Sequence, residues 1–193
     1  MAGNGAGHLG ARQYRKGHAV SLRSQQRQLR AIYDQIPDVP CTGACTDTCT
    51  SFPVPRIEKR IIRRATGVDL GSSMSNPITT RCPLLTPAGR CAAHDIRPLI
   101  CRLWGACDLM PCVFGCAPAQ GRRLTAREAN RLSAQVFEIS GQNAMARAFR
   151  DLDVLPDEVL GPVAPALAAL FGSGATEATI VEHARALLRQ MTR

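Results

Sequence analysis

The chain has 193 residues, 45% of them hydrophobic and only 4% aromatic, and a formal net charge of +9. That length fits one domain, or one domain with appendages. No apolar run approaches the length of a membrane-spanning helix, so no membrane partner is expected, and the first twenty residues hold no apolar stretch of the kind a secretory signal needs.

The charge comes almost wholly from arginine, since Lys16 and Lys59 are the only lysines among 24 basic residues. Residues 1 to about 20 are Gly-rich and basic and are expected to be disordered. From Val20 to Ile36 the spacing of Val20, Leu22, Leu29, Ile32, Tyr33 and Ile36 predicts a helix. Residues 1–36 thus form a basic arm and helix. Residues 1–30 carry Arg12, Arg15, Lys16, Arg23, Arg27 and Arg30 and no acid. Such an arm suits nucleic acid or another anionic surface. A plain solvated terminus accounts for it equally well, because no aromatic platform accompanies it.

Pro37 and Pro40 end that helix and open a cysteine-rich part, residues 37–121. One short helix is expected inside it. Pro55 suits its first turn, Ile57, Ile61, Ile62 and Ala65 form its apolar face, and Gly67 stops it. Arg56, Lys59, Arg60, Arg63 and Arg64 crowd the other face against a single Glu58. That run reads as a solvated face before it reads as a phosphate-contacting stripe.

Residues 122–193 are helical by pattern. Thr125 and Glu128 form a capping-box signature. The helix they open extends to about Arg150, with Gly141 as a break or kink and Val136, Phe137, Ile139, Met145 and Phe149 as its buried stripe. A second helix is expected from Pro156 to Phe171. A third carries Ile180, Val181, Ala184, Leu187, Leu188 and Met191. The fold class is therefore mainly α with irregular loops: a small metal-stabilised cysteine-rich domain followed by an α-helical tail that packs or docks.

All nine cysteines lie in the middle part: Cys41, Cys45, Cys49, Cys82, Cys91, Cys101, Cys107, Cys112 and Cys116. Clustered thiols either crosslink or bind metal. Disulfides require an oxidising compartment, which nothing here signals, and an odd count fits a full disulfide framework poorly. Metal binding in a cytoplasmic setting is the expectation, with all nine as candidate ligands. The segment has few large apolar side chains, so a metal would supply stability that burial does not. No C-x2-C pair occurs, and that is the usual zinc spacing. Iron–sulfur clusters accept more varied gaps. An iron–sulfur cluster, of the 4Fe-4S type, is thus the leading cofactor and zinc the alternative; thiolate ligation alone does not separate them. His94 is a candidate ligand or neighbour of the ligands, and reads more readily as a surface histidine.

The string CPLLTPAGRCAAHDIRPLICRLWGAC, residues 82–107, resembles the signature of the YkgJ-like family of cysteine-rich, zinc- or iron-chelating domains. Members carry an early C-x3-C-x2-C-C-like cluster, then C-x8-C, an Arg-Pro pair and a Cys-Arg pair. The matching positions are Cys41, Cys45 and Cys49, then Cys82 and Cys91, Arg97-Pro98, and Cys101-Arg102. The likeness covers residues 41–107. It departs at Cys49-Thr50, where the family has adjacent cysteines, and Cys107, Cys112 and Cys116 are then the reserve ligands. The resemblance implies metal chelation, with the early run sharing a centre with Cys82 or Cys101. Arg97 and Arg102 stand beside the thiolates in sequence. They would offset cluster charge or donate to sulfur, or make local hydrogen bonds. Trp104 would shield the site or simply fill the core.

Three function classes follow. The leading one is a metal-binding protein acting through protein partners, as a structural or redox module in a larger assembly. The second is a metal-containing nucleic-acid-binding protein. The third, an iron–sulfur-dependent enzyme or electron carrier, has no Ser/His/Asp set, paired carboxylates or phosphate loop behind it.

Overall fold

The computed structural model describes residues 21–43, 49, 54–71 and 81–153, together with residues 179, 182, 186 and 189. Within these the fold is mainly α with irregular loops: α1 (Leu22–Tyr33), α2 (Arg56–Thr66), a 3-10 turn (His94–Ile96), α3 (Leu99–Leu103), α4 (Ala126–Ile139) and α5 (Asn143–Asp153). No strand occurs among the described residues, only isolated bridges such as Leu85 to Cys91 and Cys107 to Leu124. Among the described residues no helix is long and apolar enough to cross a membrane.

Local chemistry sets the helix ends. Ser21 caps α1, its hydroxyl accepting from the Ser24 N–H at 3.2 Å. The helix stops three residues before the expected Ile36, in tight turns that precede Pro37, while Val20 lies outside the described residues. Pro55 stands just outside α2 rather than in its first turn, and Gly67 closes that helix at φ 76°, in the left-handed region. Thr125 and Glu128 form the full capping box of α4. Gly141, at φ 73°, breaks the expected single helix into α4 and α5. The two then fold back, stacking Phe137 on Phe149 with ring centroids 5.4 Å apart. The helix expected over 156–171 lies outside the described residues; of the third, Thr179, Glu182, Ala186 and Arg189 are helical.

Two cores position the cysteines. The larger draws on all three expected parts of the chain: Leu29 and Ile32 from α1, Ile57 from α2, Leu99 and Leu103 from α3, Cys107, and Ala129, Leu132 and Val136 from α4. The smaller joins Val54, Ile62, Leu70, Leu84 and Ala93, with Cys82 and Cys91 packed against it. Each fully buried aliphatic side chain contributes about 1.5–3 kcal/mol. These cores therefore outweigh exposed ion pairs such as Arg63–Asp69 at 3.1 Å, each worth about 0–1 kcal/mol.

The α4–α5 turn also caps α2. Pro55 makes no side-chain cap. Instead the Arg56 N–H donates to Gln142 Oε1 at 2.9 Å and the Ile57 N–H to Ser140 Oγ at 3.1 Å.

Glu58 is not on the solvated basic face where the sequence pattern placed it. It is 2% exposed. Its Oε1 accepts from the Tyr33 hydroxyl at 2.5 Å and from the Leu99 N–H at 2.8 Å, joining α1, α2 and the start of α3. Among the described residues its Oε2 has no partner. Burial outweighs those two hydrogen bonds and pushes the carboxyl up from the ordinary 4.5 to about 7. A carboxyl raised in the folded state stabilises fully below its ordinary value, and that contribution is lost as pH rises through about 7. Urea denaturation of the wild type and of Glu58→Gln across this range is expected to show the wild type losing on the order of 3 kcal/mol relative to the variant by pH 8. Parallel pH profiles would refute this account of the Glu58 environment.

Candidate metal centre

Backbone hydrogen bonds gather four cysteines from distant positions. The Cys82 N–H donates to the Cys49 carbonyl at 3.1 Å, which draws the early run to the later one. From Cys82 the chain turns over Pro87 and Gly89, a proline and a glycine that suit a turn tip. Gly89 N–H bonds the Thr86 carbonyl at 3.0 Å and Ala92 N–H the Leu84 carbonyl at 2.8 Å, so Cys91 returns beside Cys82. The 3-10 turn and Pro98 then reverse the chain, and Cys101 falls in the first turn of α3.

The four sulfurs lie within one another's fields. Cys49 donates its thiol hydrogen to Cys82 and also feels Cys101 and Cys91. That bond draws the Cys82 thiol down to about 6, helped by the Leu84 N–H, against its burial. The same shared proton, then burial, pushes Cys49 far up. Cys91 is raised by burial, and the Ala93 N–H opposes that rise. Cys101 has an exposed edge, yet the surrounding protein raises its thiol, with Cys82 and Cys91 adding to the effect. Backbone N–H groups donating to sulfur two residues back, as at Cys82 and Cys91, favour the thiolate form that metals require.

The arginines divide. Arg97 acts electrostatically on both Cys91 and Cys101, lowering each. Its Nε is buried without a hydrogen-bond partner, while a terminal nitrogen meets His94 Nε2 at 2.9 Å. Arg102 serves structure. Its Nε donates to the Arg97 carbonyl at 2.8 Å and another nitrogen to the Asp95 carbonyl at 2.9 Å, and its guanidinium lies 4.4 Å from the Tyr33 ring centroid. His94 is exposed, and Trp104 is half-buried at the end of α3.

The other cysteines go elsewhere. Cys107 is fully buried in the larger core. Burial raises its thiol, and the groups acting on it are the Met110 and Leu109 N–H groups, Asp108 and Arg123 rather than other cysteines. Cys112 and Cys116 meet each other and the segment that carries Cys41 and Thr42. The early run therefore reaches two places, Cys49 one and the neighbour of Cys41 the other; Cys45 lies outside the described residues. Sequence reasoning missed Glu58 and Thr42. Glu58 had one signal, being the lone acid in a run of cations directly after a buried Ile57. Thr42 had none.

Among the described residues no three His, Cys, Asp or Glu side chains are disposed to hold a metal ion as they stand. The chemistry of the donors nonetheless fits a soft ion or cluster. Four cysteines converge, Cys82 is drawn toward its thiolate beside Cys49, and the Nε of Arg97 is buried with no hydrogen-bond partner among the described residues. No family model, no curated protein and no solved structure matches the chain.

In metal-free protein kept reduced, Cys82 is expected to be alkylated first. Its rate should rise through about pH 6, well below the pH at which Cys101 reacts. Peptide mapping after timed iodoacetamide pulses measures this, and equal pH profiles for the two would count against the shared-proton pair.

Proposed function

We propose that the chain is a metal-binding module. It holds an iron–sulfur cluster of the 4Fe-4S type, or zinc in its place, at Cys49, Cys82, Cys91 and Cys101, and acts through a protein partner as a structural or redox element of a larger assembly. The observation that carries this reading is the bond from the Cys82 N–H to the Cys49 carbonyl at 3.1 Å, which sets the early run beside the turn that returns Cys91; Cys49 draws the Cys82 thiol down there, and Cys91 and Cys101 act on the same pair. The likeness of residues 82–107 to the YkgJ-like signature points the same way. When bound, a cluster would supply one-electron chemistry and zinc a crosslink. Arg97 supports either by balancing negative charge at Cys91 and Cys101. Thiols kept free for metal belong in a reducing, cytoplasmic compartment.

A second reading, nucleic-acid binding, rests on one contact. Arg60 donates to Gln25 Oε1 at 2.6 Å, which ties α2 to α1, and both helices carry exposed arginines, Arg23, Arg27 and Arg30 on α1 and Arg63 and Arg64 on α2. Salt-dependent binding to DNA or RNA would favour it; a stable protein complex in pull-down favours the first.

Anaerobically purified protein is expected to be brown, to contain iron and acid-labile sulfide, and to lose both in Cys82→Ser. Colourless protein with stoichiometric zinc would replace the cluster by zinc, and folded metal-free protein with four disulfides would refute metal binding altogether.

Removal of the metal is expected to leave residues 81–98 open to proteolysis while the helical circular dichroism of α4 and α5 persists. Those two helices rest on apolar contacts and a capping box, whereas the loop between Cys82 and Cys91 rests on a few turn hydrogen bonds. Protease resistance of that loop without metal would show that its own core suffices.

A further inference from the structure

The turn from Cys112 to Cys116 is ordered by something other than burial. Its tip residues, Val113 and Phe114, are 71% and 50% exposed. Its two cysteines are half-buried, and the Gly115 N–H closes the turn on the Cys112 carbonyl at 3.0 Å.

Three contacts lay the segment 38–43 along this turn. The Ala119 N–H donates to the Asp38 carbonyl at 3.3 Å. At Gly105, a Cβ would stand 3.0 Å from the Cys116 carbonyl oxygen, 3.3 Å from Cys112 Cβ and 3.4 Å from Val39 Cγ1, so the three chain segments meet where only glycine fits. The Thr42 hydroxyl lies 3.8 Å from Cys116 Sγ. Cys41 falls between the Val39 and Thr42 contacts, and its own sulfur accepts the Gly43 N–H at 3.4 Å. The Thr42 backbone and the Cys112 thiol also act on Cys116. Donors directed at sulfur are how thiolate ligands are held in metal sites.

We propose that Cys112, Cys116 and Cys41 form a second metal site, separate from the one at Cys49, Cys82, Cys91 and Cys101, and that it takes a soft divalent ion of the zinc type through three thiolates. Thr42 is its positioning residue, holding Cys116 by hydroxyl and backbone. The ion joins the first of the early cysteines to the turn after α3, a crosslink that the exposed tip of that turn does not provide.

This proposal rests on the metal-binding reading of the chain, but the two are tested apart. Metals and sulfide are counted in wild type, Cys82→Ser and Cys116→Ser. Co2+ replaces the native divalent ion as a probe of tetrahedral thiolate ligation. Cys116→Ser is expected to lose one divalent ion per chain, with its thiolate-to-cobalt bands, while retaining whatever Cys82→Ser removes. Thr42→Val, which keeps every thiol, is expected to weaken the ion by about 10–100-fold against a competing chelator and to leave the other centre unchanged; it decides the matter if Cys116→Ser does not fold. The second site is overturned if Cys116→Ser binds as much metal as wild type, if both centres are lost together in Thr42→Val, or if Cys112 and Cys116 are disulfide-bonded in protein kept reduced. Absence of any metal from the Cys82 group, with the cobalt bands still lost in Cys116→Ser, would sink the first reading and leave the second site standing.

Discussion

A single buried carboxylate organises the described part of this protein. Glu58 belongs to α2, accepts the hydroxyl of Tyr33 at the end of α1, and accepts the first N–H of α3 at Leu99. Three helices thus meet at one oxygen. The residue two beyond Leu99 is Cys101, so the same contact places a candidate ligand. Around it the charges are arranged in layers. Arg102 lies over the Tyr33 ring and holds the carbonyls of Arg97 and Asp95, which fixes the loop where Arg97 faces the thiols. The cost of burying Glu58 with one oxygen unpartnered is the kind that a purely apolar junction would avoid. What the carboxylate adds is direction: it binds a hydroxyl and an N–H at set angles, and an aliphatic side chain does not.

Local signals in the sequence were legible where local physics decides. The capping box at Thr125 and Glu128, the glycine stop at Gly67, the break at Gly141 and the turn over Pro87 and Gly89 each follow from a residue's own backbone preferences. The neighbourhoods of the cysteines were not legible in their spacing. C-x3-C-x3-C suggests three ligands of one centre, yet Cys49 pairs with Cys82 through a backbone bond while the segment of Cys41 lies against Cys116. Spacing along a loop says nothing about which distant turn receives it. Glu58 was misjudged for a related reason. Helical periodicity assigns a charged residue to the wet face, and only tertiary contacts from Tyr33 and Leu99 reverse that assignment.

The cysteines also differ in kind, although the sequence presents them as one population. Cys107 behaves as a small apolar residue, wholly enclosed by the helices and tied by its backbone bridge to the approach to α4. Cys82 and Cys91 sit on the smaller core with sulfurs turned toward backbone donors. Cys112 and Cys116 flank an exposed apolar tip. One residue type thus serves as packing, as a proton-sharing group and as the neck of a surface turn.

The cap supplied to α2 by Ser140 and Gln142 bears on the order in which the chain assembles. α4 and α5 meet across a short turn and need no distant segment. The first N–H groups of α2 find their acceptors 83 and 86 residues away. Closing so long a loop carries an entropic cost that local hairpins escape. Loop-closure entropy therefore favours pairing of α4 with α5 before α2 docks onto their turn. Because α2 carries Glu58, the junction with Tyr33 and Leu99 is completed by that same docking, so segments far apart along the chain are secured through one turn.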